Sequence, residues 1–407
     1  MRALLDISRT VARARLPAPT GIDRVERAYI DWALARDALF LASVDRRFHL
    51  VEARQVRALV AWLDGEGEAP ARDWRARLRP QRDQRLGQAQ SLIRRDAVAV
   101  AADPSKLGDM LKARMQGGGV YLNVGHDNLS APVMQAIGAA GLARVVLIQD
   151  TIPLDYPQYA RKGTPDAFRA KLDAALAAEL ILLNSQDTMA HVAAHAGGKV
   201  PPMAVAPLGI TLPSRPGRPL DEAKPCFVCL GTIEPRKNHA LLLDLWRQFG
   251  DGAPAQLHII GRRGWENAQV FEALDTAPFM GHSVFELGAL PEGQTHTRLA
   301  GASALLFPSH AEGYGLPLAE ALALGCPVIA SDLPALREVG GAVPEWLAPG
   351  DIQGWRAAVE AYADENSPER AAQLARLRDW RAPTWIDHFA IVDKQLETIL
   401  VQSGQGG

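Results

Sequence analysis

The chain has 407 residues, more than one hydrophobic core usually absorbs, so two domains are expected. Apolar residues make up 48% and charged residues 22%, with a formal net charge of −2, an ordinary globular balance that excludes a general attraction to nucleic acid. The charge is uneven: the first hundred residues carry 19 arginines, no lysine and 13 carboxylates, a net +6 that leaves −8 for the rest, so an anionic partner or membrane surface would meet the N-terminal part. Three cysteines cannot make a disulfide framework and suit a reducing cytosol. Asp6 comes too early for a secretory signal, and no run of about 18 apolar residues spans a bilayer. These features predict a cytoplasmic protein with at most peripheral contact at an inner membrane.

In chain order, "ALLDIS" reads as the first strand, and "PAPTGIDRVERAY" (17–29) as the loop and helix start that follow it. Gly21 there serves either an ordinary strand-to-helix turn or the close approach of a phosphate or acceptor. Residues 64–97 are polar and arginine-rich, fit neither strand nor amphipathic helix, and read as a solvated excursion with a basic face. Short apolar runs then alternate with helix-period segments: "VYLNVG" (120–125), "RVVLIQD" (144–150), "LILLNS" (180–185) and "MAVAPLG" (203–209). That rhythm predicts stacked βα units.

The Pro-rich 211–225 stretch reads as a linker, dividing a first domain (1–210) from a second (211–381). The rhythm restarts with "CFVCLGTI", "AQLHIIG" (255–261), "VFELGAL" (284–290), "ALLFPS" (304–309) and "PVIASD" (327–332). Cys226-x-x-Cys229 lies inside an apolar strand with no second Cys/His pair in range, so zinc is not expected. Residues 382–407 contain a helix-period stretch, 382–400, long enough to cross back onto the first domain. The predicted architecture is α/β: two Rossmann-like doubly wound domains facing a cleft, with ligands at the carboxyl ends of the strands.

Two loops carry chemistry. In "HAEGYGLPLAEALALGCPVIASD" (310–332), Glu312 has no helix to serve, and Gly313 and Gly315 remove side chains where a ligand would approach the backbone. Glu320 falls in the first turn of the following helix, where offsetting the helix dipole would explain it equally well. A carboxylate in such a cleft accepts two hydrogen bonds from vicinal hydroxyls, so two of them suggest a ligand with two polyol parts, a nucleotide sugar. In "LGTIEPRKNHALLLDLW" (230–246), Gly231, Arg236 and Lys237 sit between a strand and a helix; the alternatives are solvated surface charge or an anion site.

The 310–332 stretch resembles the signature of retaining glycosyltransferases of family 4, a GT-B family whose E-x7-E motif is matched by Glu312 and Glu320. The resemblance implies that Glu320 binds the donor ribose and that Glu312 lies by the donor sugar and phosphate, with Tyr314 and Leu316 in the same donor-binding loop. It implies that Arg236 and Lys237 bind the donor diphosphate and neutralise it as it leaves, and that Gly261 and Arg262 or Arg263 of "HIIGRRGWENAQV" (258–270) form a basic donor loop. It also implies a role for the Gly21 loop near the reaction centre, for His126 of "LNVGHDNLS" beside the donor sugar, and for Asp127 and Asp150 on the acceptor side. Gln149 replaces the histidine of the family's HD-x-x-P segment. Ser185 begins a helix near the cleft and needs no role beyond capping it.

"GTIEPRKN" and "GRRGW" look most like bacterial mannosyltransferases of surface-polysaccharide assembly. The expected reaction is therefore transfer of a sugar, mannose from GDP-mannose first, from a nucleotide-diphospho-sugar to a saccharide or lipid-linked glycan. In that family the leaving diphosphate is thought to help deprotonate the acceptor. No Asp-x-Asp occurs, so no metal or other cofactor is expected, and preorganised cations meet the leaving charge instead. A GT-B nucleotide-sugar epimerase is the alternative. A Rossmann dehydrogenase lacks its Gly-x-Gly-x-x-Gly after the first strand, and a noncatalytic sugar-binding protein would not need the cations.

Overall fold

The computed structural model describes residues 2–16, 19–78, 83–198, 200–212, 225–402 and 404. Residues 213–224, most of the expected linker, and Pro17 and Ala18 lie outside that range. Strands β1 (Ala3–Asp6), β2 (Ala38–Val44), β3 (Arg47–Val51), β4 (Ala99–Ala101), β5 (Gly119–Asn123), β6 (Leu142–Ile148), β7 (Leu180–Leu183) and β8 (Met203–Val205) form one sheet in the order β4-β3-β2-β1-β5-β6-β7-β8. Strands β9 (Cys226–Leu230), β10 (Gln256–Ile260), β11 (Val284–Gly288), β12 (Ala304–Phe307), β13 (Val328–Ser331) and β14 (Glu345–Leu347) form the other, β11-β10-β9-β12-β13-β14, parallel throughout.

The strands are near-continuous apolar runs because helices cover both faces of each sheet. On one side of the first sheet Leu5, Phe40, Leu122 and Val145 share a core; on the other, Leu4, Leu41, Tyr121 and Val146 share a second. Successive residues thus point to opposite faces, the period-2 alternation of a strand. The predicted strand ends run two residues or so too far at 120–125, 144–150 and 180–185, because the apolar pattern continues into loops at the cleft.

Two features depart from the sequence reading. First, β3 and β4 pair antiparallel at the edge of the first sheet. The β2–β3 hairpin turns through Asp45 and Arg46, both with positive φ (51° and 61°), a tight turn that usually advertises itself with glycine or asparagine and here does not. Second, residues 84–95 of the arginine-rich stretch are helix, with Ala89, Leu92 and Ile93 buried in the core behind the sheet. Arg94 is held by Asp73 at 2.7 Å and Asp45 at 3.0 Å, so part of the basic charge is spent inside the fold. Residues 79–82 of that stretch lie outside the described range.

The last helix, Trp385–Gln402, returns to the first sheet. Val392, Leu396, Ile399 and Leu400 join its core, His388 Nε2 meets Tyr29 Oη at 2.9 Å, and Trp32 Nε1 donates to Asp393 at 3.1 Å. The chain therefore crosses between the two halves twice, and the crossings touch: Ile210 N donates to Pro383 O at 3.2 Å, and a Cβ on Gly209 would lie 2.2 Å from Trp385 N. Among the described residues no helix is long and apolar enough to cross a membrane.

Leu396 is fully buried between the last helix and the sheet. Leu396→Ala is expected to lower stability by about 2–5 kcal/mol, whereas Val401→Ala on the exposed side of that helix changes it by less than about 0.5 kcal/mol. Urea unfolding of the two variants checks the difference.

Candidate active site

The loops at the carboxyl ends of β9, β10 and β12 face those at the ends of β5, β6 and β7. After β9 the chain makes a short turn, Pro235–Lys237, that enters the helix His239–Phe249 through Asn238 at positive φ. This turn aims Arg236 and Lys237 at the loop after β12. Lys237 Nζ lies 2.5 Å from Glu312 Oε1, Arg236 Nη1 lies 2.9 Å from Glu312 Oε2, and Ser309 Oγ donates to Glu312 Oε1 at 2.6 Å. Arg236 also pairs with Glu234 at 2.8 Å and donates to the carbonyl of Ala311 at 2.7 Å.

The four charged side chains are at most one-fifth exposed. Burial alone would raise the Glu312 pKa, but Lys237 and Arg236 outweigh it and hold the carboxylate at about 2. Burial draws Lys237 below the ordinary lysine value against the pull of Glu312, and its ammonium rests 4.8 Å over the Phe307 ring. Here the sequence expectation of converging cations meets a built cluster. The alternative of solvated surface charge does not describe it.

Gly231 and Gly261 are required by the backbone. Gly261 has φ +155°, and a Cβ there would lie 1.8 Å from the Gly231 carbonyl oxygen; at Gly231, φ +149°, it would meet Lys237 Cε at 3.4 Å. Both thus keep the floor under Lys237 low. Arg262 is exposed beside this floor, whereas Arg263 is bound to Asp275 at 2.6 Å and Glu286 at 2.7 Å and is committed away from the cleft.

The glycines after Glu312 have a packing role besides the ligand approach that the sequence suggested. A Cβ on Gly313 would strike the Gln149 carbonyl at 2.3 Å, and Gly313 O accepts from Ser185 Oγ at 3.0 Å, so this residue is where loops of the two halves press together. Gly315, φ +95°, precedes the helix Leu316–Ala323 and leaves room for Leu336. Tyr314 turns away into the first core, its hydroxyl donating to Leu208 O at 2.6 Å. Leu316 packs against that core too.

Glu320 is the fifth residue of its helix, past the first turn, so the dipole-offsetting explanation does not apply. It is buried, and burial raises its pKa despite Arg24, whose guanidinium reaches from the helix Gly21–Leu34 to Glu320 Oε1. Gly21 opens that helix behind a Thr20–Asp23 capping box.

On the other side of the cleft, His126 sits at φ +61° after β5, its main-chain N–H on Asn123 Oδ1 at 3.0 Å. Its Nε2 donates to Leu147 O at 2.8 Å, which fixes the proton there, and burial lowers its pKa to about 4. His126 is therefore a neutral imidazole that offers a lone pair at Nδ1. Asp127 and Asp150 both have pKa values raised by burial; Asp150 feels Arg236 across the cleft and accepts from Ile152 N at 3.1 Å. Gln149 donates to Val124 O at 3.2 Å, a structural use of the position.

Sequence reasoning missed Arg24 and Glu234. Arg24 carried a signal, since it lies three residues beyond Gly21 on a helix aimed at the cleft; Glu234 directly precedes "PRK". It also missed Glu26, fully buried with neither carboxylate oxygen hydrogen-bonded and near Asp6 and Asp127.

Two Rossmann-like sheets meeting at a cleft of this kind are the GT-B arrangement of glycosyltransferases. Residues 213–378 match the family model described as glycosyl transferases group 1. Serotype-specific mannosyltransferase WbdA of Escherichia coli is 34% identical over 157 residues, 36% of this chain and 19% of that protein. O-antigen chain mannosyltransferase B of Escherichia coli is 28% identical over 158 residues, 38% of this chain and 41% of that one. The chain thus spans less than half the length of these relatives. Among solved structures, Anabaena HepE in complex with UDP superposes with a TM-score of 0.62 at 16% identity, over 98% of this chain and 99% of that one. Staphylococcus aureus TarM gives a TM-score of 0.55 at 13% identity, over 72% and 58%.

Glu312→Gln removes one charge from the cluster and leaves two buried cations short of a partner, an expected loss of about 3–5 kcal/mol at pH 7. A carboxylate with a depressed folded pKa stabilises above its unfolded value and loses that contribution as pH falls through the folded one. Wild type and variant should therefore converge between about pH 4.5 and 2, read by denaturant unfolding at several pH values.

Proposed function

We propose that this chain is a metal-independent retaining glycosyltransferase of family 4 that moves mannose from GDP-mannose to a saccharide or lipid-linked glycan in bacterial surface-polysaccharide assembly, working at the cytoplasmic side of the inner membrane. The observation that carries the proposal is the Arg236–Lys237–Glu312 cluster, facing a cleft between two parallel sheets. Mannose and the polysaccharide come from the named activities of the Escherichia coli relatives. Retention comes from the family that the E-x7-E stretch resembles.

Glycosyl transfer releases a nucleoside diphosphate, and its developing charge is the barrier a site must lower. Arg236 and Lys237 are held in place before any ligand arrives, which is the condition for electrostatic stabilisation without reorganisation. Lys237 has three N–H donors, of which Glu312 takes one, so the others remain for phosphate oxygens. Glu312 stays ionised and keeps the two cations aimed, and Glu320 offers its second carboxylate oxygen to vicinal hydroxyls of the donor. Neutral His126 contributes no charge and accepts a hydrogen bond from a sugar hydroxyl. Asp127 and Asp150 line the acceptor side, Asp150 within the field of Arg236. The basic residues left exposed on the N-terminal half, Arg54 and Arg77 among them, face the anionic membrane or the lipid-linked acceptor.

Calorimetric titration with GDP and with UDP in the presence of EDTA tests the reading. GDP is expected to bind, and Lys237→Ala to weaken it by about tenfold or more. In an assay that follows GDP release from GDP-mannose, the same variant should lose about 10²–10³ in kcat. Binding of neither nucleotide would overturn the proposal, UDP binding alone would replace the donor, and a product anomer opposite to the donor's would overturn retention.

A further inference from the structure

The sequence and the functional reading leave one cross-cleft contact without a purpose. Arg24 belongs to the helix Gly21–Leu34 of the first half, yet its guanidinium bonds to Glu320 of the second and lies 3.5 Å from Glu292. The two helices meet at their starts, since a Cβ on Gly21 would sit 3.5 Å from Leu316. One turn in from this contact on each helix stand Arg24 and Glu320.

A carboxylate grips vicinal hydroxyls as an acceptor only while it is ionised; protonated, it donates at one oxygen and loses half its capacity. Glu320 is 2% exposed, and desolvation favours its neutral form. The titratable groups facing it are Arg24 on one helix, and Glu292 and His296 on the helix Glu292–Gly301. Glu292 is half-exposed and of like charge, and His296 is buried with its pKa lowered by that burial, so among the described residues Arg24 is the cation that opposes protonation of Glu320. The carboxylate that the donor needs charged is thus kept charged by a cation from the opposite half of the protein.

We propose that Arg24 is a positioning residue of the nucleotide-sugar site, keeping Glu320 ionised and oriented from across the cleft, so that the donor's hydroxyls are gripped only when the two halves are together. The inference rests on the proposed function. It assigns the side chain of Arg24 on the Gly21–Leu34 helix a task in donor binding.

The test is titration with GDP and UDP of wild type, Arg24→Met, Arg24→Lys and Glu320→Gln at pH 6.5 and 8.5, with affinities expressed relative to wild type at the same pH. Arg24→Met should bind the nucleotide about tenfold more weakly at pH 6.5 and recover part of that loss at pH 8.5, since the burial that favours neutral Glu320 is then opposed by the higher pH in place of Arg24. Arg24→Lys should stay close to wild type, and Glu320→Gln should be weak and independent of pH. Wild-type affinity in Arg24→Met would overturn the inference, as would a loss equal at both pH values, the mark of a packing defect. Tighter binding in Arg24→Met would also overturn it, because Arg24 would then be obstructing the site. If Arg24→Met fails to fold, Arg24→Lys binding far more weakly than wild type at both pH values counts against it. Wild type binding neither nucleotide is a separate result, which removes the proposed function and the inference with it.

Discussion

Four charged side chains, Glu234, Glu312, Arg236 and Lys237, share a space that water hardly reaches, and the loops around them are arranged to make that tolerable. Two charges of each sign cancel, so the cost of burying them is met by mutual pairing, by Ser309 and by the Ala311 carbonyl. The pairing requires the loop after β9 and the loop after β12 to sit side by side, which they do through His310 N on Arg236 O at 2.8 Å. The backbone in turn must dip beneath Lys237, and Gly231 and Gly261 make that dip possible.

The second half contributes the cluster, but the first half encloses it. Gly313 presses on Gln149, Ser185 donates to Gly313 O, the Tyr159 ring stacks on His310 at 5.0 Å, and Arg161 lies 4.6 Å from the Trp265 ring. These contacts are small and polar or aromatic, and they add to the apolar packing of Tyr314 and Leu316 on the first core. Several of them end on residues next to Glu312, so the chemistry and the approach of the halves are read by the same loop.

The sequence was most legible where local composition and chemistry agreed. The alternation of strand-like and helix-like runs gave two sheets built on parallel strands, and Glu312, Arg236 and Lys237 were found because cations and a carboxylate stood at strand ends that a parallel sheet brings together. It was least legible where a residue's purpose depends on a distant partner. Gly313 and Tyr314 looked like ligand contacts because they flank Glu312, yet one fits against Gln149 and the other tethers to Leu208. Arg24 looked like any helical arginine, since its partner lies 296 positions away. Arginines 85 and 94 looked like solvated charge because helical periodicity is diluted when the polar face is so rich in one residue, although Ala89, Leu92 and Ile93 beside them are core.

The side-by-side crossings at Ile210 and Pro383 bear on how such a molecule opens. A single strand between two bodies permits twist, bend and slide; two strands bonded to each other at the same point remove twist and slide and leave bending about the line they define. The Trp385 backbone seated on Gly209 narrows the choice further, since even a methyl group has no room there. Any bending of the two halves is thus expected about the line through residues 209 and 385, in the manner of a book with a stitched spine.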